Sequence, residues 1–365
     1  MINSGELAGQ ILTPGGFVSG RILWRDGLVE RIEKMHGAPE AYVLPGFVDL
    51  HCHGGGGADV MNGGEAVRTV AATHAATGTT SFLATTMTAP VPDIELALAA
   101  AERVRKAPAR GEATVLGVHL EGPFISPQRL GAQPANAIPG SIELMRRFLD
   151  LAAIRVVTVA TEADRDGAFI RYLVEAGVRA QLGHSLADYE TAAEAIRCGC
   201  RSVTHLFNAM SPLLHRAPGI VGAALAHLDY AELIPDLLHV HPGAIRAALR
   251  AIPNVYAVTD ATPATGMPDG AYKLGSQPVF KCDNGVRLAD GTLAGSCLTM
   301  VEAFRNLVSI GLTIEEASRR TSTFAADYIG EASRGRLVPG GAADMVVIET
   351  NLSLADVFVG GAAIS

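Results

Sequence analysis

The sequence predicts an α/β protein: a (β/α)8 TIM-like barrel with a small β-sandwich domain built from the N- and C-terminal segments. Three observations predict it. The middle of the chain repeats a short β-rich run followed by a helical run eight times, over roughly the length of a closed barrel. Both ends read instead as short strands separated by Gly and Asp turns. Histidines and carboxylates fall at the ends of the strand candidates, the face where a barrel keeps its reactive groups.

Residues 1–44 alternate short apolar stretches with turns, as in GRILWRDGLVERIE, and the same texture returns in GRLVPGGAADMVVIETN and LADVFVGGAAI. Residues 1–44 and 335–365 are therefore expected to form one β domain, with the barrel, 45–334, inserted between them. The eight strand candidates are VLPGFVDLH near 43, GTTSFLATT near 78, TVLGVHLE near 114, IRVVTVAT near 154, RAQLGHS near 179, SVTHLF near 202, AELIPD near 231 and NVYAVTDA near 254. Ala-rich stretches such as EAVRTVAATHAATG, PDIELALAAAERVRKA, GAFIRYLVEAG and DYETAAEAIRCG supply helices between them. A doubly wound open sheet would carry a Gly-rich phosphate turn after its first strand. Here that strand runs into His51, Cys52, His53 and four glycines.

Composition narrows the function. With 365 residues, 48% apolar and 18% charged, the chain can bury a sizeable core. Its 29 Lys and Arg against 37 Asp and Glu give a net charge of -8, which excludes broad electrostatic binding of nucleic acid or an anionic membrane. Five cysteines without paired CxxC spacing make no disulfide framework and fit a reducing cytosol. The first residues, MINSGELAGQILTP, lack a basic stretch followed by an apolar run, and no later segment offers about 18 uninterrupted apolar residues. A cytoplasmic protein, neither exported nor membrane-spanning, is the expectation.

On the strand map, His51 and His53 end the first strand, and their i, i+2 spacing puts both on one face. Glu121 ends the third strand, His184 the fifth, His205 lies near the end of the sixth and Asp260 ends the eighth. Four imidazoles and two carboxylates at one mouth form a metal-site composition. His36, His74, His119 and His227 show no such placement and read as structural or surface residues. Alternation turns Cys52 to the opposite face, and Cys198 and Cys200 follow a helix with no third thiolate nearby, so all three read as packing. No lysine ends a strand, and Glu121 can supply a bridging or ligating carboxylate instead.

The stretches PGFVDLHCHGGGG at 45–57, GVHLEGPFISP at 117–127, LGHS at 182–185, THLFNAM at 204–210, PGIVGAAL at 218–225, VTDA at 258–261 and RLADGTLAGSCLTM at 287–300 run through most of the chain. In this order they resemble the amidohydrolase superfamily and, within it, the N-acetylglucosamine-6-phosphate deacetylase family. The resemblance implies a barrel hydrolase with one or two divalent ions per subunit, zinc first, with iron, manganese and cobalt also accepted. It implies that Glu121, His184 and His205 hold the shared metal site and that His51 and His53 help hold a second ion. Asp260 matches the catalytic aspartate beside the ions and His239 a histidine near the scissile carbonyl. Asn208 and the backbone of Ala209 match contacts to a substrate phosphate. Arg216 matches an arginine that reaches the neighbouring subunit's site, which implies a homodimer. The implied substrate is a phosphorylated N-acetyl amino sugar, with N-acetyl-D-glucosamine 6-phosphate in first place.

The sequence departs from that family near the sugar. Gln133 stands where a sugar-contacting histidine is usual and is expected to bind substrate through its amide. Leu237 replaces a glycine in Ile234-Pro235-Asp236-Leu237, and SRRTSTFAADYIG lacks the usual Asn-Pro-Ala. Another N-acyl amino sugar, such as N-acetylgalactosamine 6-phosphate, or a different small amide is thus a second substrate reading. A non-catalytic metal-binding paralogue is a third, and retention of Asp260 argues against it.

Overall fold

The computed structural model describes residues 3–164 and 166–364. Eight barrel strands follow one another along the chain: Phe47–Cys52, Thr79–Thr85, Thr114–Glu121, Ile154–Val159, Arg179–Leu182, Ser202–Val203, Tyr230–Leu233 and Asn254–Ala257. Six of them fall within the stretches singled out above, and the other two overrun theirs by one residue, at Cys52 and Tyr230. The first six form one parallel sheet in sequential order, and the last two pair in parallel. Backbone bonds close the ring. Leu206 N donates to Glu232 O at 2.9 Å beyond the sixth strand, and Asp260 N donates to His51 O at 2.9 Å between the eighth and the first.

Each strand leads into a helix: Ala66–Ala75, Val91–Lys106, Ile142–Leu151, Ala168–Glu175, Tyr189–Cys198, Gly219–His227, Pro242–Ala251 and Met300–Ser309. These helices cover the outside of the ring, so the strands are buried on both faces and read as near-continuous apolar runs. Local chemistry starts several of them. Ser141 accepts from Leu144 N, Asp188 from Thr191 N, and Thr299 exchanges bonds with Glu302 in a capping box. None of the described helices is long and apolar enough to cross a membrane.

The two ends of the chain share a seven-stranded sheet, in the order 362–363, 354–359, 345–348, 42–45, 5–13, 16–25, 28–34. Its own core gathers Ile11, Ile22, Trp24, Val29, Val43 and Met345, with Trp24 edge-on to Phe358 at 5.6 Å between ring centres. The strand Tyr42–Pro45 passes into the first barrel strand through Gly46 alone, and Gly46 N donates to Asp344 O at 2.9 Å.

A third sheet was not anticipated. Gly270–Leu274, Gln277–Cys282 and Gly285–Arg287 form a small antiparallel sheet in the connection after the eighth strand. Its second turn, Asp283-Asn284, takes φ of 50° and 61°, the left-handed pair that a tight hairpin requires and that Asp and Asn tolerate. The sheet packs Leu274, Val279 and Val286 against Met87 beside the barrel mouth, and Gly275 N donates to Asp59 Oδ2 at 2.7 Å.

Candidate metal centre and substrate cavity

Glu121, the last residue of the third strand, is 1% exposed and presents its two oxygens to different histidine pairs. Oε1 lies 3.2 Å from His184 Nε2 and 3.1 Å from His205 Nε2, and these two nitrogens are 3.3 Å apart. Oε2 lies 3.1 Å from His53 Nε2 and 3.5 Å from His51 Nε2, themselves 3.1 Å apart. Asp260 Oδ1 completes the second group, 3.2 Å from His53 Nε2 and 3.5 Å from His51 Nε2. Two donor clusters that could each hold a metal ion, His51-His53-Glu121 and Glu121-His184-His205, thus share one carboxylate.

The far sides of three of the rings are tied to the barrel. His51 Nδ1 faces Glu232 Oε2 at 3.1 Å, His53 Nδ1 faces the Thr85 carbonyl at 3.3 Å, and His184 Nδ1 faces the Arg129 carbonyl at 2.8 Å. Such contacts choose which ring nitrogen points at the centre and keep it there. Below them His119 is clamped between the Leu50 carbonyl at 3.1 Å and Thr158 Oγ1 at 2.8 Å, and burial, with His51 beside it, pushes its pKa down to about 4. It is a neutral structural ring, as its sequence position suggested. Cys52 packs, buried, against His74, and all five cysteines are free.

The carboxylates demand positive charge among them. Burial lowers the pKa of His51 and His53, yet Glu121 and Asp260 overcome it, holding His51 well above the ordinary value and His53 at about 9. Burial likewise opposes ionisation of Glu121 and Asp260, and the facing histidines still hold both below their ordinary values. A divalent cation answers the same demand that protons on His51 and His53 answer, and imidazole with carboxylate is a donor set such ions accept.

The centre opens on a cavity of about 290 Å³. His53, Glu121, His184, His205 and Asp260 line one side; Asn208, Ala209 and His239 line it further along. His239 Nδ1 is 2.6 Å from Asp236 Oδ2, and although burial lowers its pKa, this hydrogen bond and charge raise it overall. Arg216 is exposed and lies outside the cavity wall of its own chain. His184, His205, Ala209 and Asp260 hold φ of 47°, 33°, 51° and 50°, a left-handed conformation that non-glycine residues keep only under firm surroundings. Gly183 shows why the fifth strand ends so tightly, since a Cβ there would meet Thr204 at 2.7 Å and Thr158 at 2.8 Å.

One expectation gains detail and two residues are added. Gln133, expected to bind substrate through its amide, lines the cavity but is 4% exposed, and its amide is engaged by protein: Nε2 donates to Glu121 Oε2 at 2.6 Å and Oε1 accepts from Thr88 N at 2.7 Å. Glu232 was missed, although it is fully buried, faces His51 and accepts from His205 N at 3.2 Å. Its signal in the sequence was a lone carboxylate inside the apolar run of the seventh strand. Arg129, also missed, is the sole Arg or Lys among the described residues that line the cavity.

A closed barrel with histidines and carboxylates converging at its strand ends defines the class of barrel hydrolases whose mouth can hold divalent ions. The chain belongs to the amidohydrolase family, whose model matches residues 42–364. It is 38% identical over 331 residues to the N-acetylglucosamine-6-phosphate deacetylase of Lysinibacillus sphaericus, covering 88% of this chain and 85% of that protein. It is 36% identical over 369 residues to the N-acetylgalactosamine-6-phosphate deacetylase of Escherichia coli O157:H7, covering 97% of each. A solved structure of a mutant N-acetyl-D-glucosamine-6-phosphate deacetylase from Mycobacterium smegmatis, in complex with N-acetyl-D-glucosamine-6-phosphate, superposes with a TM-score of 0.92. It is 32% identical and covers 99% of both chains.

Proposed function

We propose that this chain hydrolyses the N-acetyl group of N-acetyl-D-glucosamine 6-phosphate to D-glucosamine 6-phosphate and acetate, in amino-sugar catabolism and cell-wall recycling. The observation that carries this is the Glu121 carboxylate shared by two histidine pairs, with Asp260 beside it, at one side of a cavity of small-molecule size. The names of the relatives support the choice of acyl group and sugar.

In this reading Glu121, His184 and His205 would hold one cation, and His51, His53, Glu121 and Asp260 would hold a second, zinc first with iron, manganese or cobalt as substitutes. Such a cation supplies Lewis-acid polarisation and lowers the pKa of a water molecule, which an unreactive amide needs. Asp260, kept ionised by His51 and His53, takes the proton of the attacking water at its carboxylate and passes it to the departing nitrogen. His239, fixed through Nδ1 by Asp236, turns Nε2 towards the cavity, and in its imidazolium form, which Asp236 favours, it donates Nε2–H to the developing oxyanion. Asn208 and the backbone of Ala209 take the phosphate, with Arg129 as the permanent positive charge of this chain nearest to hand. Arg216, exposed here, reaches the phosphate of a second copy in a cytoplasmic homodimer.

The test is amine release from N-acetyl-D-glucosamine 6-phosphate by chelator-stripped protein before and after addition of zinc, with the galactosamine and mannosamine epimers in parallel. Zinc-restored turnover greatest on the glucosamine compound is the expected result. A preference for N-acetylgalactosamine 6-phosphate would move the assignment to that epimer, and no turnover of any of the three would remove it.

A further inference from the structure

We infer that Gln133 is a positioning residue for Glu121 and not a contact for the sugar. The inference rests on the metal reading proposed above and goes beyond it, because it assigns the orientation of the shared carboxylate to one side chain. Gln133 is buried in the loop that follows the third strand and spans two strand ends. Its Oε1 accepts from the backbone N–H of Thr88, just past the second strand, and its Nε2 donates to Glu121 Oε2, at the end of the third.

The amide can be placed in only one way. A backbone N–H needs an acceptor and an ionised carboxylate needs a donor, so the carbonyl must face Thr88 and the NH2 must face Glu121. With the carbonyl engaged by main chain, the donor is aimed by the fold and not by a freely rotating side chain. Glu121 Oε2 is therefore held on the side of His51 and His53, and Oε1 is left to His184 and His205. Without that bond the carboxylate is free to turn about its terminal torsion, which is broad, and to offer its oxygens to the two pairs indiscriminately. Partners of this kind, one bond removed from the ion, set how well a metal site binds.

Gln133→Met keeps the length and packing of the side chain and removes both hydrogen-bonding ends. Gln133→Asn keeps the amide but is one methylene too short to span Thr88 and Glu121, and it is the gentler change for the fold. Zinc affinity of the full chain is measured by competition with a chromophoric chelator, beside kcat and KM for N-acetyl-D-glucosamine 6-phosphate and a thermal melt. We expect both folded variants to bind zinc more weakly, by about 10- to 100-fold for Gln133→Met, with kcat lowered at limiting zinc and KM within about twofold of wild type. Unchanged zinc affinity in either folded variant, with KM raised, overturns the inference and returns Gln133 to the sugar. A wild-type chain that binds no zinc, iron, manganese or cobalt is a different failure, since it overturns the metal reading itself.

Discussion

Asp260 is the side chain whose chemistry is most directly exposed to test. It sits 3.2 Å from His53, so replacing it removes an anion from the centre as well as the proton acceptor. Asp260→Asn keeps the shape and loses the base, and turnover should fall by about 10²- to 10⁴-fold. Zinc content by elemental analysis should persist, because the histidines and Glu121 remain. Glu232→Gln probes the opposite side of His51: weakening the bond to Nδ1 should lower zinc affinity about 10-fold, read by chelator competition. The candidate ligand histidines were legible in the sequence because they fall together at strand ends, and His51 and His53 share a face by spacing alone. Glu232 was not, since it meets His51 only through a ring closed by residues nearly two hundred positions apart. Gln133 was legible as a site residue but not in its role, which the path of its loop decides.

Elements, taken singly, followed their local signals closely where apolar period and capping agreed. The capping box of Thr299 and Glu302 opens the helix after the eighth strand, and Thr299→Ala should cost about 1 kcal/mol in a urea titration. The end of the Val91–Lys106 helix gives a pH dependence with a definite sign. Arg105 grips Glu102 with two bonds of 2.8 Å, Ala153 N and Lys106 add to it, and the carboxyl pKa falls from about 4.5 to about 2. A carboxylate depressed in the folded state contributes stability that is complete above its unfolded pKa and fades as the pH drops from about 4.5 towards 2. Glu102→Gln should thus destabilise at pH 7 by about 1 kcal/mol, the partly exposed ion pair being screened by water. The gap from wild type should shrink in urea titrations at pH 3. The hairpin at 270–287 was the element missed, because the Ala-rich βα rhythm of the barrel drew attention past a short Asp-Asn turn in a long connection.

For the whole molecule, the shared sheet and the barrel are bound by very short links: Gly46 between two strands and the Gly46–Asp344 backbone bond. The single tryptophan, Trp24, is buried in the sheet, so its fluorescence reports that part, while far-UV circular dichroism is dominated by the barrel helices. Thermal or urea unfolding followed by the two signals should give coincident transitions, as a cooperative unit requires. A tryptophan change several degrees below the dichroism change would show that the sheet melts by itself. The barrel order, its eight helices and the pairing of the two chain ends could be read in advance from alternation and turn residues. The particular bonds of the closing seam, such as Asp260 N to His51 O, could not, because no local pattern reports the register in which the first and last strands meet.

That seam has a meaning for biosynthesis. His51 is made early and Asp260 late, and the backbone bond that joins their strands is the one that completes the ring. A chain that stops before the last strand already carries both histidine pairs and Glu121 at the ends of the six-stranded sheet, but it lacks Asp260 and the bond that joins the eighth strand to the first. Asp260 is the last of these groups to be made, so the full constellation waits for the eighth strand.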